Sequence, residues 1–150
     1  MTLDWLELLF RLGGAAAAGI ALGINRDLRN KPIGSRTLGL VSLGAATVTV
    51  ATIQVPGMTE HPDAMSRVVQ GVIQGIMAGI SFIGAGVILR NAQAQEVHGL
   101  TTAATVWVTA ALGIACGLGA WRAVLVAVGV ALFLLVAVAW VERLLAARRE

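Results

Sequence analysis

Few residues of this chain have the chemistry of a catalytic or metal centre. The chain has two histidines, His61 and His98, and one cysteine, Cys116. Neither histidine has a second His, Cys or carboxylate at the spacing that a metal site requires. The sequence also has no nucleophile–base pair, phosphate-binding loop or zinc pattern. These observations predict a protein that is not an enzyme and that has no metal centre or cofactor.

The remaining polar residues of interest follow helical spacing inside apolar segments. Two sets each share one helix face by their spacing, namely Gln70, Gln74 and Ser81, and Thr102, Thr105 and Thr109. Two interpretations stay open, since such groups either hold helices together by hydrogen bonds or line a polar pathway or binding cleft. Our candidate cleft consists of Gln74, Ser81, Thr101, Thr102 and Thr105, with Asn25, Arg26 and Arg36 at its cytoplasmic mouth.

Glycines recur at helical spacing in the same region of the chain. Gly71, Gly75 and Gly79 form two overlapping GxxxG units, and small residues at this spacing let a second helix approach closely. Gly84 and Gly86 follow, and they predict a break or bend near the cytoplasmic end of this helix, where neighbouring groups can satisfy the backbone. We assign all five glycines to helix packing.

Two pairs of charged residues lie near segment ends. Glu7 and Arg11 are four residues apart, so their side chains can meet on one helix face. Both lie in the first two turns of an apolar segment, where long side chains reach the membrane interface, so a structural ion pair is favoured over a transport role. Asp63 and Arg67 precede another apolar segment, and we assign them to the outer side of the site.

The elements that carry these residues are membrane helices. The chain of 150 residues is 57% hydrophobic and 13% charged, whereas soluble domains are about half apolar and a quarter charged. A helix needs about 20 mostly apolar residues to cross a bilayer, and barrel strands would instead alternate polar and apolar residues. The sequence predicts one all-α membrane domain over residues 1–150, a five-helix bundle with spans at 5–24, 37–55, 68–89, 100–119 and 123–141.

The distribution of Lys and Arg predicts the orientation of the bundle. Eight of these residues lie on the side that follows the first, third and fifth spans, and two lie on the other side. Positive loops stay in the cytoplasm, so we expect the N-terminus outside and the C-terminus in the cytoplasm. The basic clusters are short and lie between apolar runs, unlike the continuous basic surface of a nucleic-acid-binding protein.

Four sequence strings carry a resemblance to a known family. They are GISFIGAG at 79–86, GLTTAATVW at 99–107, GINRD at 23–27 and GSRTL at 34–38. In this order they resemble the signature of the MgtC/SapB family over nearly the whole chain. Two positions depart from the family pattern, because Asn25 stands where the family usually has Glu and Ser81 where it usually has Gly.

The resemblance implies a bacterial inner-membrane protein with a five-helix membrane domain. It implies a role in adaptation to low magnesium, acid or host stress and, for some members, restraint of the proton-driven ATP synthase. Many relatives carry a cytoplasmic C-terminal domain, which we expect this chain to lack. The leading hypothesis is a regulatory protein, a homo-oligomer in the lipid bilayer, that acts through helix contacts with a membrane partner. The alternatives are a transporter for magnesium or another small cation and a purely structural oligomer.

Overall fold

The computed structural model describes residues 3–55, 62–91, 96–138 and 140. Its elements, in chain order, are α1 (Trp5–Asp27), α2 (Ser35–Ile53), α3 (Pro62–Gly86), β1 (Leu89–Asn91), β2 (Glu96–His98), α4 (Leu100–Gly117), α5 (Trp121–Phe133) and a π-helical turn (Leu134–Val138). Five helical segments, the last of which includes the π-helical turn, are long and apolar enough to cross a membrane. The predicted five-span helical bundle is therefore confirmed, while its orientation stays a prediction.

The helix ends follow local signals in the sequence. Asp4 caps α1, since its Oδ1 accepts a hydrogen bond of 2.8 Å from the backbone N–H of Trp5. The helix then continues to Asp27, three residues beyond the predicted span, so that Arg26 belongs to the helix and not to a loop. α3 ends at Gly86, within the stretch where a break was expected.

A short hairpin joins α3 to α4, and it was not predicted. β1 and β2 pair antiparallel, with Leu89 opposite His98, where the sequence had placed the end of the third span. Gly99 connects the hairpin to α4 with a φ of +91°, which L side chains rarely adopt. A Cβ on Gly99 would also overlap the carbonyl oxygen of Val87, so the hairpin closes only around a glycine.

The core of the bundle lies between α1, α2 and α4. Its fully buried side chains include Leu22, Leu38, Val106 and Cys116. In α4 56% of the spanning residues are buried, compared with 6% in both α3 and α5, so these two helices pack on the outside. We call the end of the bundle that carries residues 28–34 and the hairpin the inner end, and the opposite end the outer end.

Small residues set the close approach of the three core helices. A Cβ on Gly113 of α4 would overlap the carbonyl oxygen of Ser42 in α2 and would lie 2.9 Å from the Cβ of Ala45. A Cβ on Gly19 of α1 would meet the backbone of Leu38. Backbone contact of this kind is the main attraction between helices in lipid.

Candidate functional site

Arg26 joins two core helices at the inner end. Its side chain is only 3% exposed, and its Nη2 donates a hydrogen bond to Thr102 Oγ1 of α4. The same guanidinium donates to the carbonyl oxygens of Ile33 and Pro32, at 3.1 and 3.0 Å. One buried cation therefore fixes α1 to α4 and holds the connection between α1 and α2.

The partners of Arg26 are all neutral oxygens. Asp27, its neighbour in the chain, directs its Oδ2 to the backbone N–H of Ser35, at 2.9 Å. In the part of the chain that the structure describes, Arg26 therefore forms no ion pair. Three hydrogen bonds from a charged donor offset the cost of its burial, but no carboxylate balances its charge.

The threonine row of α4 faces the core of the bundle. Thr102, Thr105 and Thr109 are all buried, at 5% exposure or less. The hydroxyls of Thr105 and Thr109 donate to carbonyl oxygens four residues earlier in their own helix, at 2.7 and 2.8 Å. Only Thr102 receives a bond from another helix, so the row is mainly a packing surface at which Thr102 makes the specific contact.

The predicted cleft is divided by the structure, because the residues of α3 and α4 face different surroundings. Gln74 is exposed on α3. The hydroxyl of Ser81 donates to the carbonyl oxygen of Met77 in its own helix. Ser81 also lines a cavity of about 480 Å³ between α3 and α4. Thr101 and Thr105 line a second cavity of about 380 Å³ between α4, α5 and α1. The structure does not bring Gln74 together with Thr102, whose hydroxyl accepts a hydrogen bond from Arg26 in the core, and a functional cleft formed by Gln74 with Thr101 or Thr102 stays a prediction.

The predicted packing glycines separate into two groups. Gly84 is buried, and a Cβ on it would lie 3.6 Å from the Cβ of Ala103 in α4. Gly71, Gly75 and Gly79 have open space around them within this chain, as does Gly86. The first three form an outward surface that we call the glycine face of α3, and their packing against another helix stays a prediction.

At the outer end, Arg11 connects α1 to α4. It forms an ion pair with Glu7, as the spacing indicated, and its Nη1 also donates to the carbonyl oxygen of Gly117, at 2.7 Å. A cation is favoured at this position because the last carbonyls of α4 carry the negative end of the helix dipole. The structural interpretation of this pair is therefore strengthened, while Asp63 and Arg67 are exposed on the first turns of α3.

Two predicted residues flank the buried arginine. Asn25 is half-buried on the last turn of α1, and Arg36 is exposed on the first turn of α2. Both lie at the inner end, but neither contributes a hydrogen bond to Arg26, and their place at a cytoplasmic mouth stays a prediction.

Sequence reasoning missed three polar groups at the contacts between the helices. Asp27 orders the start of α2, and its signal was its position as the one acid in a basic stretch at 26–36. The carbonyl of Gly117 as a partner of Arg11 had no sequence signal, because any residue supplies that oxygen. Ser42 Oγ is the one enclosed side-chain polar atom without a hydrogen bond in the described residues, and nothing in its spacing distinguishes it.

Some predictions fall on residues that the structure does not describe. These are His61 and, in the fifth predicted span, residues 139 and 141. Within the described ranges, no group of three His, Cys, Asp or Glu residues is placed to hold a metal ion.

Comparison with known proteins identifies the family. The model of the MgtC family matches residues 12–144, which includes Arg26, the glycine face of α3 and the threonine row of α4. The chain belongs to the MgtC family. The comparison thereby places it among multi-pass membrane proteins of a bacterial family and indicates no enzyme family.

The similar proteins are longer than the part of each that matches this chain. The chain is 44% identical over 127 residues to Protein SrpB of Synechococcus elongatus, a match of 79% of the chain and 68% of the relative. It is 33% identical to Protein SapB of Bacillus subtilis over 95% of the chain and 62% of the relative. It is 37% identical to Protein MgtC of Salmonella typhimurium over 79% of the chain and 47% of the relative. The chain thus spans about half to two thirds of these proteins. No solved structure matches it at a significant level.

Three of the four strings that resemble the MgtC family meet at the inner end of the bundle. The string at 23–27 supplies Arg26 and Asp27, the string at 34–38 supplies the backbone N–H of Ser35, and the string at 99–107 supplies Thr102. These residues are far apart in the chain but are joined by hydrogen bonds in the structure. The signature therefore describes one structural unit at the ends of three helices.

Proposed function

We propose that this MgtC-family chain is a regulatory protein of the bacterial inner membrane that acts through helix contacts with another membrane protein. The observation that carries the proposal is the glycine face of α3. It lies on a helix whose spanning residues are 6% buried, and none of the described residues fills the space beside its three glycines. Such a surface fits a second helix at close range.

Polar side chains beside the glycine face support the same proposal. Gln70 and Gln74 are exposed, each one residue before a glycine of the face. An exposed amide within a membrane span lacks water as a hydrogen-bond partner, and bonds across helices satisfy such groups in lipid. A partner helix on the glycine face would cover both amides and bring its own backbone close to α3.

The partner is either a second copy of the chain or a different membrane protein. We propose a homo-oligomer through α3, and the ATP synthase as the second class of partner that the family resemblance suggests. The physiological role that follows is adaptation to low magnesium, acid or host stress by restraint of that partner. These roles rest on the family resemblance together with the unpartnered face.

The alternative of cation transport has less support from the geometry. That hypothesis required the polar stripe of α3 to face the threonines of α4. Gln74 is instead exposed, whereas Thr105 and Thr109 are buried. The stripe and the row therefore do not form a continuous polar route through the described bundle.

The test compares two glycines on outward surfaces. Gly75→Leu fills the glycine face, whereas Gly129→Leu adds the same side chain on α5, where the surroundings are equally open. Both variants should be produced in normal amounts, because neither side chain meets another part of the chain. We expect Gly75→Leu to fail in restoring low-magnesium growth to a deletion strain and Gly129→Leu to succeed.

Crosslinking in membranes then identifies what covers the face. A Cys introduced at Ala78, which is exposed on α3, should crosslink to a second copy or to a partner in the wild-type background. The crosslink should be lost with Gly75→Leu. Full complementation and an unchanged crosslink in that variant would mean that neither function nor the partner contact depends on the glycine face. The proposal would then be wrong.

A further inference from the structure

Arg26 carries a positive charge that the described part of the chain does not neutralise. A guanidinium has five N–H donors, and Arg26 uses Nε once and Nη2 twice. The two donors on Nη1 have no partner among the described residues. Since Ser42 Oγ is the one enclosed polar atom there without a hydrogen bond, Nη1 retains some accessible surface although Arg26 as a whole is only 3% exposed. A buried cation with one open edge has the chemistry of an anion site.

An apolar cavity lies next to this charge. It has a volume of about 380 Å³ and lies between α1, α4 and α5. Its lining runs from Thr101 to Val108 along α4, and from Ala131 in α5 to Val138 in the π-helical turn. At a rise of 1.5 Å per residue, each stretch is about 10 Å long. One leaflet of hydrocarbon is about 15 Å thick, so the cavity has the depth of a large part of an acyl chain.

The π-helical turn forms part of the cavity wall. Leu134, Leu135 and Val138 belong to this turn, and all three line the cavity. Single π-helical turns within α-helices are rare and frequently occur at functional sites. The irregular backbone that follows α5 therefore lies at the cavity between α1, α4 and α5.

The charge and the cavity adjoin one another. Leu22, which lines the cavity, precedes Arg26 by one helical turn on the same face of α1, a rise of about 6 Å. On α4, Thr101 lines the cavity, and the next residue, Thr102, accepts the hydrogen bond from Arg26. Arg26 does not itself line the cavity, but on both helices it lies beside a residue, or within one helical turn of a residue, that does.

The surrounding charge also favours an anion. The backbone N–H of Lys31 donates to the carbonyl oxygen of Arg26, at 3.0 Å, which folds the basic connection over the end of α1. Arg29 lies in the same connection, and the carboxylate of Asp27 is directed to Ser35. Each basic residue near a membrane surface raises the affinity for anionic lipid about fivefold, which corresponds to about 1 kcal/mol per charge.

We propose that the inner end binds one anionic phospholipid, with its phosphate on the open edge of Arg26 and one acyl chain in the cavity. The phosphate would supply the counter-charge that the described residues do not provide, and the acyl chain would fill the space between α1, α4 and α5. The lipid would thereby stabilise the packing of α5 against the core.

The first test measures thermal unfolding of the full purified chain in detergent with added phosphatidylglycerol, phosphatidylcholine or inorganic phosphate. Phosphatidylglycerol should raise the Tm, and the other two should have little effect. Asn25→Glu places a carboxylate beside Arg26, and we expect it to weaken the apparent affinity for phosphatidylglycerol about fivefold, the weight of one charge. Asn25→Gln has nearly the same shape without the charge and should retain the wild-type affinity.

The second test fills the cavity while leaving the charges unchanged. Ala131→Phe places a ring in the cavity, and Val130→Phe places the same ring on the neighbouring, exposed position of α5. Phosphatidylglycerol bound through purification, measured by mass spectrometry, should fall in the first variant and persist in the second. Both variants leave Arg26 in place, so a change in lipid retention cannot come from loss of the buried cation.

Three results would overturn the proposal. The first is equal stabilisation by inorganic phosphate and phosphatidylglycerol, because the acyl chain would then have no role. The second is an equal effect of Asn25→Glu and Asn25→Gln, which would exclude a charge effect. The third is equal lipid retention by Ala131→Phe and Val130→Phe, which would mean that the cavity is not the chain site.

Discussion

Thr102→Val tests the bond that connects α1 to α4. Valine has nearly the shape of threonine but no hydroxyl, so the variant removes the oxygen that accepts from Arg26 Nη2 and leaves the packing intact. A hydrogen bond to a charged group contributes about 1.5–3 kcal/mol. The donor is buried at 3% exposure, so water does not readily replace the lost partner, and we expect a loss of about 2 kcal/mol in the free energy of unfolding.

Thr105→Val is the matched control for this change. Thr105 is buried to the same degree on the same face of α4, but its hydroxyl donates only to the carbonyl oxygen of Thr101 in its own helix, at 2.7 Å. Such bonds compete with the helix backbone and contribute little to its stability. We expect a loss below about 0.5 kcal/mol for this variant, which is usual where no special feature is removed.

The assay is thermal unfolding in detergent, with Thr102→Ser as a rescue that restores the hydroxyl. For a chain of this size 2 kcal/mol corresponds to a decrease of about 4–8 °C in Tm. Thr102→Val should still fold, because stabilities of about 5–15 kcal/mol are usual for native proteins. Equal Tm values for Thr102→Val and Thr105→Val would refute the reasoning, since the bond from Arg26 would then contribute nothing measurable.

Three further predictions use the other features of the bundle. A reporter fused after residue 150 should be cytoplasmic and one at Gly57 should be outside, and periplasmic activity from the C-terminal fusion would reverse the orientation. Ser42→Ala removes a buried hydroxyl that has no hydrogen bond, so it should raise the free energy of unfolding by about 1 kcal/mol; a lower Tm would indicate a partner for that hydroxyl in the membrane. Gly113→Ala should cost about 1–3 kcal/mol by overpacking against Ser42, while Gly44→Ala, with open space around it, should unfold at the wild-type temperature or above.

The sequence by itself determined the number of membrane helices and their approximate positions in the chain. A span requires a fixed length of apolar residues, and the backbone of each span must satisfy its own hydrogen bonds. Both requirements are local, so the five spans and the end of α3 near Gly86 could be predicted. The hairpin was missed because its strands are three residues long, which is too short for a recognisable alternation.

The tertiary structure alone decided which face of each helix is inside. In water, the apolar face of a helix marks the core, but in lipid an apolar side chain is equally stable against hydrocarbon and against another helix. The apolar pattern of α5 therefore could not indicate that it lies on the outside, nor could the polar spacing of α3 and α4 indicate that Gln74 and Thr102 are apart. Close backbone contact at Gly113 and the bonds of one buried cation, Arg26, set the arrangement instead. These contacts join residues from separate helices, and only the folded bundle brings them together.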